Sequence, residues 1–354
     1  MIGRTLDALS RLDYPQKKLE IIVINDSSTD HTGRVLEQKK KKLPHLKVVT
    51  IEPPLGAKGK SHALNNGLKE AKGEFIAVYD ADNTPERPAL RYLIDYMLGD
   101  DAIGAVVGKF RTRNRDASML TRFINIETLS FQWLCQAGRY HWFRLTTIPG
   151  TNYIIRRKIL DKLGGYNVKA LTEDTEITVR VYSEGYYIAW APHAVTWEQE
   201  PESISVWVKQ RTRWARGNMW VAGYYLNRLF NLKNRRITWD ILYFVSVYFV
   251  FFSSIVVSDV IFILSLMGLI SLTVGGPLLV LWLMAYSLFI LETFISLSLE
   301  RGEVSLKNFL YICLMYFTYS QLWLYLVFRA IWISFRDKIE GKAFYWDKTE
   351  RSEL

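Results

Sequence analysis

Carboxylates placed at the ends of apolar runs are the first sign of chemistry in this sequence. Asp80-Ala81-Asp82 follows the apolar stretch Phe75 to Tyr79, and Asp26 follows the aliphatic run Leu19 to Ile24. Two carboxylates two residues apart, just past a strand end, can share a hard cation and a ribose between them. Magnesium or manganese is commonly held by one or two carboxylates plus substrate phosphates. Read by itself, an Asp-x-Asp also suits a solvated turn. Lys58-Gly59-Lys60-Ser61 precedes a helical pattern, so backbone amides and the Lys60 ammonium can face an anion. Thr172-Glu173-Asp174 opens another helix. Asp174 there is either a helix-stabilising acid or a general base. The second role needs a raised pKa against a helix dipole that lowers it, hence a compensating like charge nearby. Gln210-Arg211-Thr212-Arg213-Trp214 sets a flat indole, apt for the apolar face of a pyranose, beside arginines apt for a diphosphate. The same residues also suit a helix lying at a membrane interface.

The elements that must carry these residues are legible from periodicity. Ile2, Leu6, Leu9 and Leu12 recur at helical spacing before Pro15. Leu19 to Ile24 reads as a strand buried on both faces, and Lys47 to Ile51 and Phe75 to Tyr79 as two more. A helix is expected from Lys60 to Lys72 with Gly73 as its C-terminal cap, and another from Pro88 to Leu98. Ala102 to Phe110 reads as a strand, Met119 to Tyr140 as a long aromatic-rich helix, and Ser203 to about Leu229 as a further helix. Thr172 suits the N-cap of the helix that Gly185 closes. Strands alternating with helices in this way imply an α/β fold with a mostly parallel sheet. In such sheets ligands bind at the carboxyl ends of the strands, so Asp26, Asp80 and Asp82 can converge on one crevice.

The 354 residues carry 45 basic and 35 acidic side chains, a formal charge of +10. An anionic membrane surface or a phosphate-bearing substrate accounts for that excess. The clusters Lys39 to Lys42 and Lys233 to Arg236 do not resemble a folded nucleic-acid module, so nucleic acid is not an expected partner. Two cysteines, Cys135 and Cys313, exclude a disulfide framework, and five scattered histidines argue against zinc. A reducing, cytosol-facing catalytic part follows, with no secretory signal at Met1.

Polarity changes abruptly near Asp240, and the mean hydropathy of +0.02 averages two regimes. Three apolar blocks follow: Ile241 to Gly275, Pro277 to Leu299 and Phe309 to Phe335. The second and third have lengths suited to single spans. The first, as one helix, would reach roughly 52 Å against a hydrocarbon core of about 30 Å, so it extends past the bilayer or turns back near Asp259. An unpaired aspartate at mid-bilayer costs on the order of 3 kcal/mol. Three spans are expected, with four as the alternative that puts the basic C-terminal tail on the cytosolic side.

Taken together and in this order, the motifs resemble the processive family 2 glycosyltransferases, the synthases of cellulose, chitin, hyaluronan and bacterial poly-N-acetylglucosamine. Ile24-Asn25-Asp26-Ser27-Ser28-Thr29-Asp30 resembles their nucleotide-binding motif, with Asn25 where many members carry an aspartate. Asp80-Ala81-Asp82 is similar to the metal motif, Thr172-Glu173-Asp174 to the Thr-Glu-Asp motif, and Gln210 to Trp214 to the Gln-x-x-Arg-Trp motif. Pro149-Gly150-Thr151-Asn152 is similar to the segment lining the donor sugar and acceptor end, and Trp346 to Arg351 to tails of the poly-N-acetylglucosamine synthase type.

The resemblance implies a GT-A fold, a Rossmann-like nucleotide-binding sheet, and an inverting single displacement from an α-linked UDP-sugar to a β-linked glycan. It implies Asn25 and Asp26 at the nucleotide, Lys60 and Arg213 at the diphosphate, Asp80 at metal or ribose, and Asp82 at the metal, Mg2+ or Mn2+. Asp174 would be the base, while Gly150, Thr151, Asn152, Glu173, Gln210 and Trp214 would meet the acceptor. The implied layout is a GT-A domain over 1–202, an amphipathic interfacial segment over 203–238, membrane helices over 239–335 and a tail over 336–354. The setting would be a multi-pass cell-membrane enzyme with a cytosolic catalytic domain, membrane lipids around it and accessory export subunits beside it. Family members also carry a strand and a Pro-x-Tyr-Asn-Glu-Glu-like turn ahead of the helix that here begins at Met1. Without that strand Ile22 and Ile24 lack a neighbour, so a chain shortened at its start and low in activity is expected. Transfer to a lipid acceptor, and a non-catalytic scaffold that retains the motifs, are the alternatives. A transporter would need more than three or four spans and two intramembrane acids, Asp259 and Glu292.

Overall fold

The computed structural model describes residues 1–226, 235–246, 252–269 and 275–341. Helix α1 (Ile2–Leu9) precedes strand β1 (Ile21–Asp26), helix α2 (Thr32–Lys42), strand β2 (Leu46–Ile51), helix α3 (Lys60–Glu70) and strand β3 (Phe75–Val78). Then come β4 (Thr84–Pro85), α4 (Ala89–Gly99), β5 (Ile103–Thr112) and α5 (Met119–Ser130). A π-helical turn over Phe131–Ala137 continues α5 into α6 (Gly138–Phe143). β6 (Tyr153–Arg156), α7 (Arg157–Leu163), α8 (Glu173–Ser183), β7 (Tyr187–Glu198) and α9 (Ile204–Leu226) complete the α/β part. Beyond it lie α10 (Arg235–Val245), α11 (Phe252–Leu266), α12 (Gly275–Ser298), α13 (Leu306–Phe317) and α14 (Tyr319–Ile339).

The strands form two sheets. β1 and β2 pair in parallel, and five strands pair in the order β3-β6-β5-β7-β4. In the larger sheet only β5 and β7 run parallel; the other three pairings are antiparallel. The expected mostly parallel sheet is therefore mixed. Two of the antiparallel pairings come from β6, whose four residues are all buried and which returns between β3 and β5, and the third from β4 against β7. Too short to show a period, β6 is invisible to pattern reading. The sheet is covered on both faces. Ala105 and Val107 of β5 join a core with Ile155, Ile177 and Val181, while Ile103 and Val106 join one with Leu90, Leu93 and Met97.

β1 pairs with β2 alone and β3 with β6 alone among the described residues. The other edges of β1 and β3 border a cleft, part of a cavity of about 990 Å³ in all, walled here by Leu6 and Leu9 of α1, by Leu64 and Leu68 of α3, and by Ile22, Ile24 and Ile76.

Several local expectations change. α3 ends at Glu70, and Gly73 does not cap it; Glu20 takes the amides of Lys72 and Gly73 at 2.6 and 2.8 Å. The Thr172 hydroxyl makes no capping hydrogen bond to α8. The third apolar block breaks at Thr318 (φ −120°, ψ −78°) into α13 and α14. Among the described residues one run, Leu306–Ile339, is long and apolar enough to cross a membrane. α10 reaches into the start of the first apolar block and α11 lies within it, and the basic tail with Trp346 to Arg351 lies outside the described residues. α12, α13 and α14 pack on α5 and α9 through Phe123, Ile126, Trp207, Leu297, Met315 and Leu326.

Candidate active site

The cleft beside β1 and β3 continues past their carboxyl ends into a polar chamber. Asp26, Lys60, Asp80, Asp82, Gly150, Thr151, Glu173, Asp174, Gln210, Arg213 and Trp214 all line it. Residues spread over nearly two hundred positions are thus brought to one wall-to-wall site. Asn25 and Asn152 are not on its surface.

Lys60 stands at the centre. As the first residue of α3 it reaches across the cleft, with Nζ 2.6 Å from Asp80 Oδ1, 2.7 Å from the Gly150 carbonyl oxygen and 3.6 Å from Glu173 Oε1. Burial works against its charge, but Asp80, Glu173 and Asp174 outweigh burial and hold the ammonium's pKa above its usual value. The two acids that open α8 respond to the same enclosure. Burial raises the Glu173 carboxyl to about 7, against the pull of Lys60 and with the push of Asp174. Burial likewise raises Asp174, opposed by Lys60, by the Thr175 amide and by Arg213. The compensation that a base at a helix N-terminus requires comes chiefly from burial rather than from a like charge.

Two backbone devices bring these groups close. Gly150 has φ +87°, and a Cβ on it would stand 2.7 Å from Asp174 Oδ2. Only glycine lets the loop lie against the acid and present its carbonyl to Lys60. The Asp80 amide donates to the Thr151 hydroxyl at 3.0 Å, and Thr5 of α1 donates to the Ala81 carbonyl at 2.8 Å. The Asp80–Asp82 turn is thereby pinned from both sides.

At the end of β1, Asp26 Oδ1 accepts the Ala57 amide at 2.7 Å, and Gly56 passes so near that a Cβ would meet the same oxygen at 2.7 Å. The Asn25 side chain is turned inward, and its Oδ1 is buried without a partner among the described residues. Asn152 corrects an expectation. Its side chain is 0% exposed, and its amide donates to the Lys109 and Ala194 carbonyls at 2.9 and 2.8 Å. It bridges the irregularity between β5 and β7 and cannot touch an acceptor.

α9 is held against α8 by Gly217, next to Thr172, and by Thr175, whose hydroxyl donates to Asn218 at 2.9 Å. That contact delivers Gln210, Arg213 and Trp214 to the chamber. Gln210 lines the chamber but is 4% exposed, and its buried Oε1 has no partner among the described residues. Glu198 and Glu200 also line the chamber and escaped sequence reasoning. The acidic run Glu198-Gln199-Glu200 at the end of β7 is the signal that could have found them.

Asp80 and Asp82 offer hard oxygen ligands at the chamber mouth. No group of three or more His, Cys, Asp or Glu side chains gathers as a metal cage among the described residues. Two carboxylates fit a hard cation whose remaining ligands come from phosphate oxygens, with Lys60 already placed to share that charge.

The sequence model described as "Glycosyltransferase like family 2" matches residues 1–217. The probable glycosyltransferase YdaM of Bacillus subtilis (strain 168) is 49% identical over 351 residues, 99% of this chain and 84% of that protein. A poly-beta-1,6-N-acetyl-D-glucosamine synthase of Staphylococcus epidermidis is 33% identical over 213 residues, 60% of this chain and 50% of the synthase. The match thus spans about half the synthase. Among solved structures, a mannosyltransferase, PcManGT, from Pyrobaculum calidifontis in complex with GDP-Man and Mn2+ superposes with a TM-score of 0.61. That likeness covers 89% of this chain and 82% of the other at 20% identity, a likeness of fold.

Proposed function

Because the chain belongs to the family 2 glycosyltransferases and has their GT-A fold, we propose that it moves a sugar from a UDP-sugar onto a growing β-linked polysaccharide at the membrane. The observation that carries this reading is the single chamber in which Lys60, Asp80, Asp174 and Trp214 meet. Asp26 sits at the uridine end. Lys60 and Arg213 face the diphosphate, and a burial-raised Asp174 takes the proton of the acceptor hydroxyl as that oxygen attacks the anomeric carbon from the face opposite the leaving UDP. Asp80 and Asp82 would hold Mg2+ or Mn2+, which supplies positive charge for the departing diphosphate. Glu173 braces Lys60, while Gly150, Thr151, Gln210 and Trp214 line the acceptor end.

The layout assigned to the chain is a catalytic domain over 1–202, an α9-centred segment over 203–238, membrane helices over 239–335 and a tail over 336–354. The exposed apolar side chains of α12 to α14, among them Leu291, Leu310, Phe328 and Trp332, support burial in lipid. N-acetylglucosamine is the first donor sugar to test, given the synthases at 33% identity. The test is to incubate membranes bearing the chain with a panel of UDP-sugars and Mg2+ or Mn2+, measuring UDP release and product length. Long polymer supports the synthase reading, whereas a single lipid-linked sugar supports transfer to lipid. No UDP release with any donor leaves a nucleotide-binding scaffold.

A further inference from the structure

Glu127 lies on α5, outside every motif in the sequence, yet its carboxylate gathers three donors from two other helices. Oε2 accepts from the Arg211 guanidinium at 3.0 Å and from the Tyr319 hydroxyl at 2.8 Å, and Oε1 accepts from Trp323 Nε1 at 2.7 Å. Tyr319 also accepts from Trp207 Nε1 at 3.1 Å, so α9 and the apolar helix α14 are joined at this point twice. Arg211 is 4% exposed, and its guanidinium carbon lies 4.1 Å from the centre of the Trp214 ring. At that distance the guanidinium covers one face of the indole, and Trp214 still lines the chamber.

We propose that Glu127 is a positioning residue for transfer: it fixes Arg211 as a backing plate behind Trp214, leaving the front of the indole to an acceptor sugar. This rests on the reading of Trp214 as the acceptor platform. A buried guanidinium requires a counter-charge, and Glu127 is its ion-pair partner. The arrangement also requires an acceptor-only group, because all three neighbours donate. A glutamine would turn an NH2 toward one of these donors and leave the cation uncompensated. Tyr319 and Trp323 extend the same carboxylate to α14, so the seating of that helix and the set of the platform are fixed together.

The test uses the full chain in membranes with UDP-N-acetylglucosamine, Mn2+ and a β-linked N-acetylglucosamine hexasaccharide, reading UDP release and separate KM values for donor and acceptor. Glu127→Gln is expected to raise the acceptor KM at least tenfold while the donor KM stays within about twofold. A merely structural role would move both alike. Glu127→Gln with an unchanged acceptor KM, beside a Trp214→Phe variant that raises it, overturns this proposal and keeps the platform. A Trp214→Phe variant with an unchanged acceptor KM overturns the platform and this proposal with it, as does a wild type that neither binds nor extends the hexasaccharide. If Glu127→Gln also loses the donor, Arg211→Lys decides. It keeps the ion pair but thins the plate, and an unchanged acceptor KM there overturns the proposal.

Discussion

Gly217 of α9 lies flush against Thr172, so near that a Cβ at 217 would stand 2.8 Å from the threonine hydroxyl and overlap its methyl group. This is the contact through which the segment carrying Gln210 to Trp214 reaches the acids of α8. Gly217→Ala is expected to force the helices apart at an overpacking cost of about 1–3 kcal/mol. Transfer should fall at least tenfold and the unfolding temperature by several degrees, both partly restored by adding Thr172→Ala. UDP release and thermal unfolding of the wild type and the two variants check this.

Asp174→Asn removes the proposed proton acceptor while keeping the shape of the site. General-base catalysis is worth about 10²–10⁴ in rate, so kcat should fall by that range while donor KM shifts far less. Steady-state UDP release with varied donor measures both. A retained kcat would assign the base elsewhere.

The pH dependence has a definite sign. Glu173 binds its proton up to about 7 in the folded chain against 4.5 for an ordinary glutamate, and Asp174 shifts the same way. The folded state therefore holds protons that the unfolded state releases first. Without donor and metal, the stability that this pair contributes is fully present below about pH 4.5, is lost as pH rises to about 7, and changes no further above. Glu173→Gln should flatten that decline. Thermal unfolding at pH 5 and pH 7.5 decides, and equal temperatures for the wild type at both would contradict it.

Metal dependence separates the two carboxylates past β3. Chelation should abolish UDP release, and Mn2+ or Mg2+ should restore it. Asp82→Asn should raise the half-saturating Mn2+ concentration about tenfold or more. Asp80→Asn should in addition weaken the donor, because it also releases Lys60, which pairs with Asp80 at 2.6 Å. Metal titrations at fixed and at varied donor distinguish the outcomes.

The cleft between β1 and β3 is bounded by two strand edges and by apolar faces of α1 and α3, with Met1 on its rim. Appending an apolar, strand-forming segment of roughly six residues to the chain, through a short turn ahead of Met1, is expected to fill this cleft by pairing with a strand edge. It should raise the unfolding temperature and protect the amides of Ile22 and Ile24 from hydrogen exchange. Unchanged exchange at both would show that the edges stay unpaired.

Much of the site is legible in the sequence because its chemistry is local. Aliphatic runs ending in Asp26 and in Asp80-Ala81-Asp82 determine which acids stand at strand ends. The types at 172–174 and 210–214 determine which groups an adjoining cleft receives. Apolar blocks after Asp240 likewise announce a second regime. Only the tertiary structure decided what depends on contact between distant segments. β6 enters the sheet antiparallel between β3 and β5, and its four buried residues carry no period that would announce it. Asn152 turns inward because β5 and β7 need its amide at their irregularity, and Glu127 matters because Arg211, Tyr319 and Trp323 arrive at it from elsewhere in the chain. Burial itself belongs to this second class. The raised Glu173 and Asp174 carboxyls depend on how much water the surrounding elements exclude, a quantity that no spacing along the chain encodes.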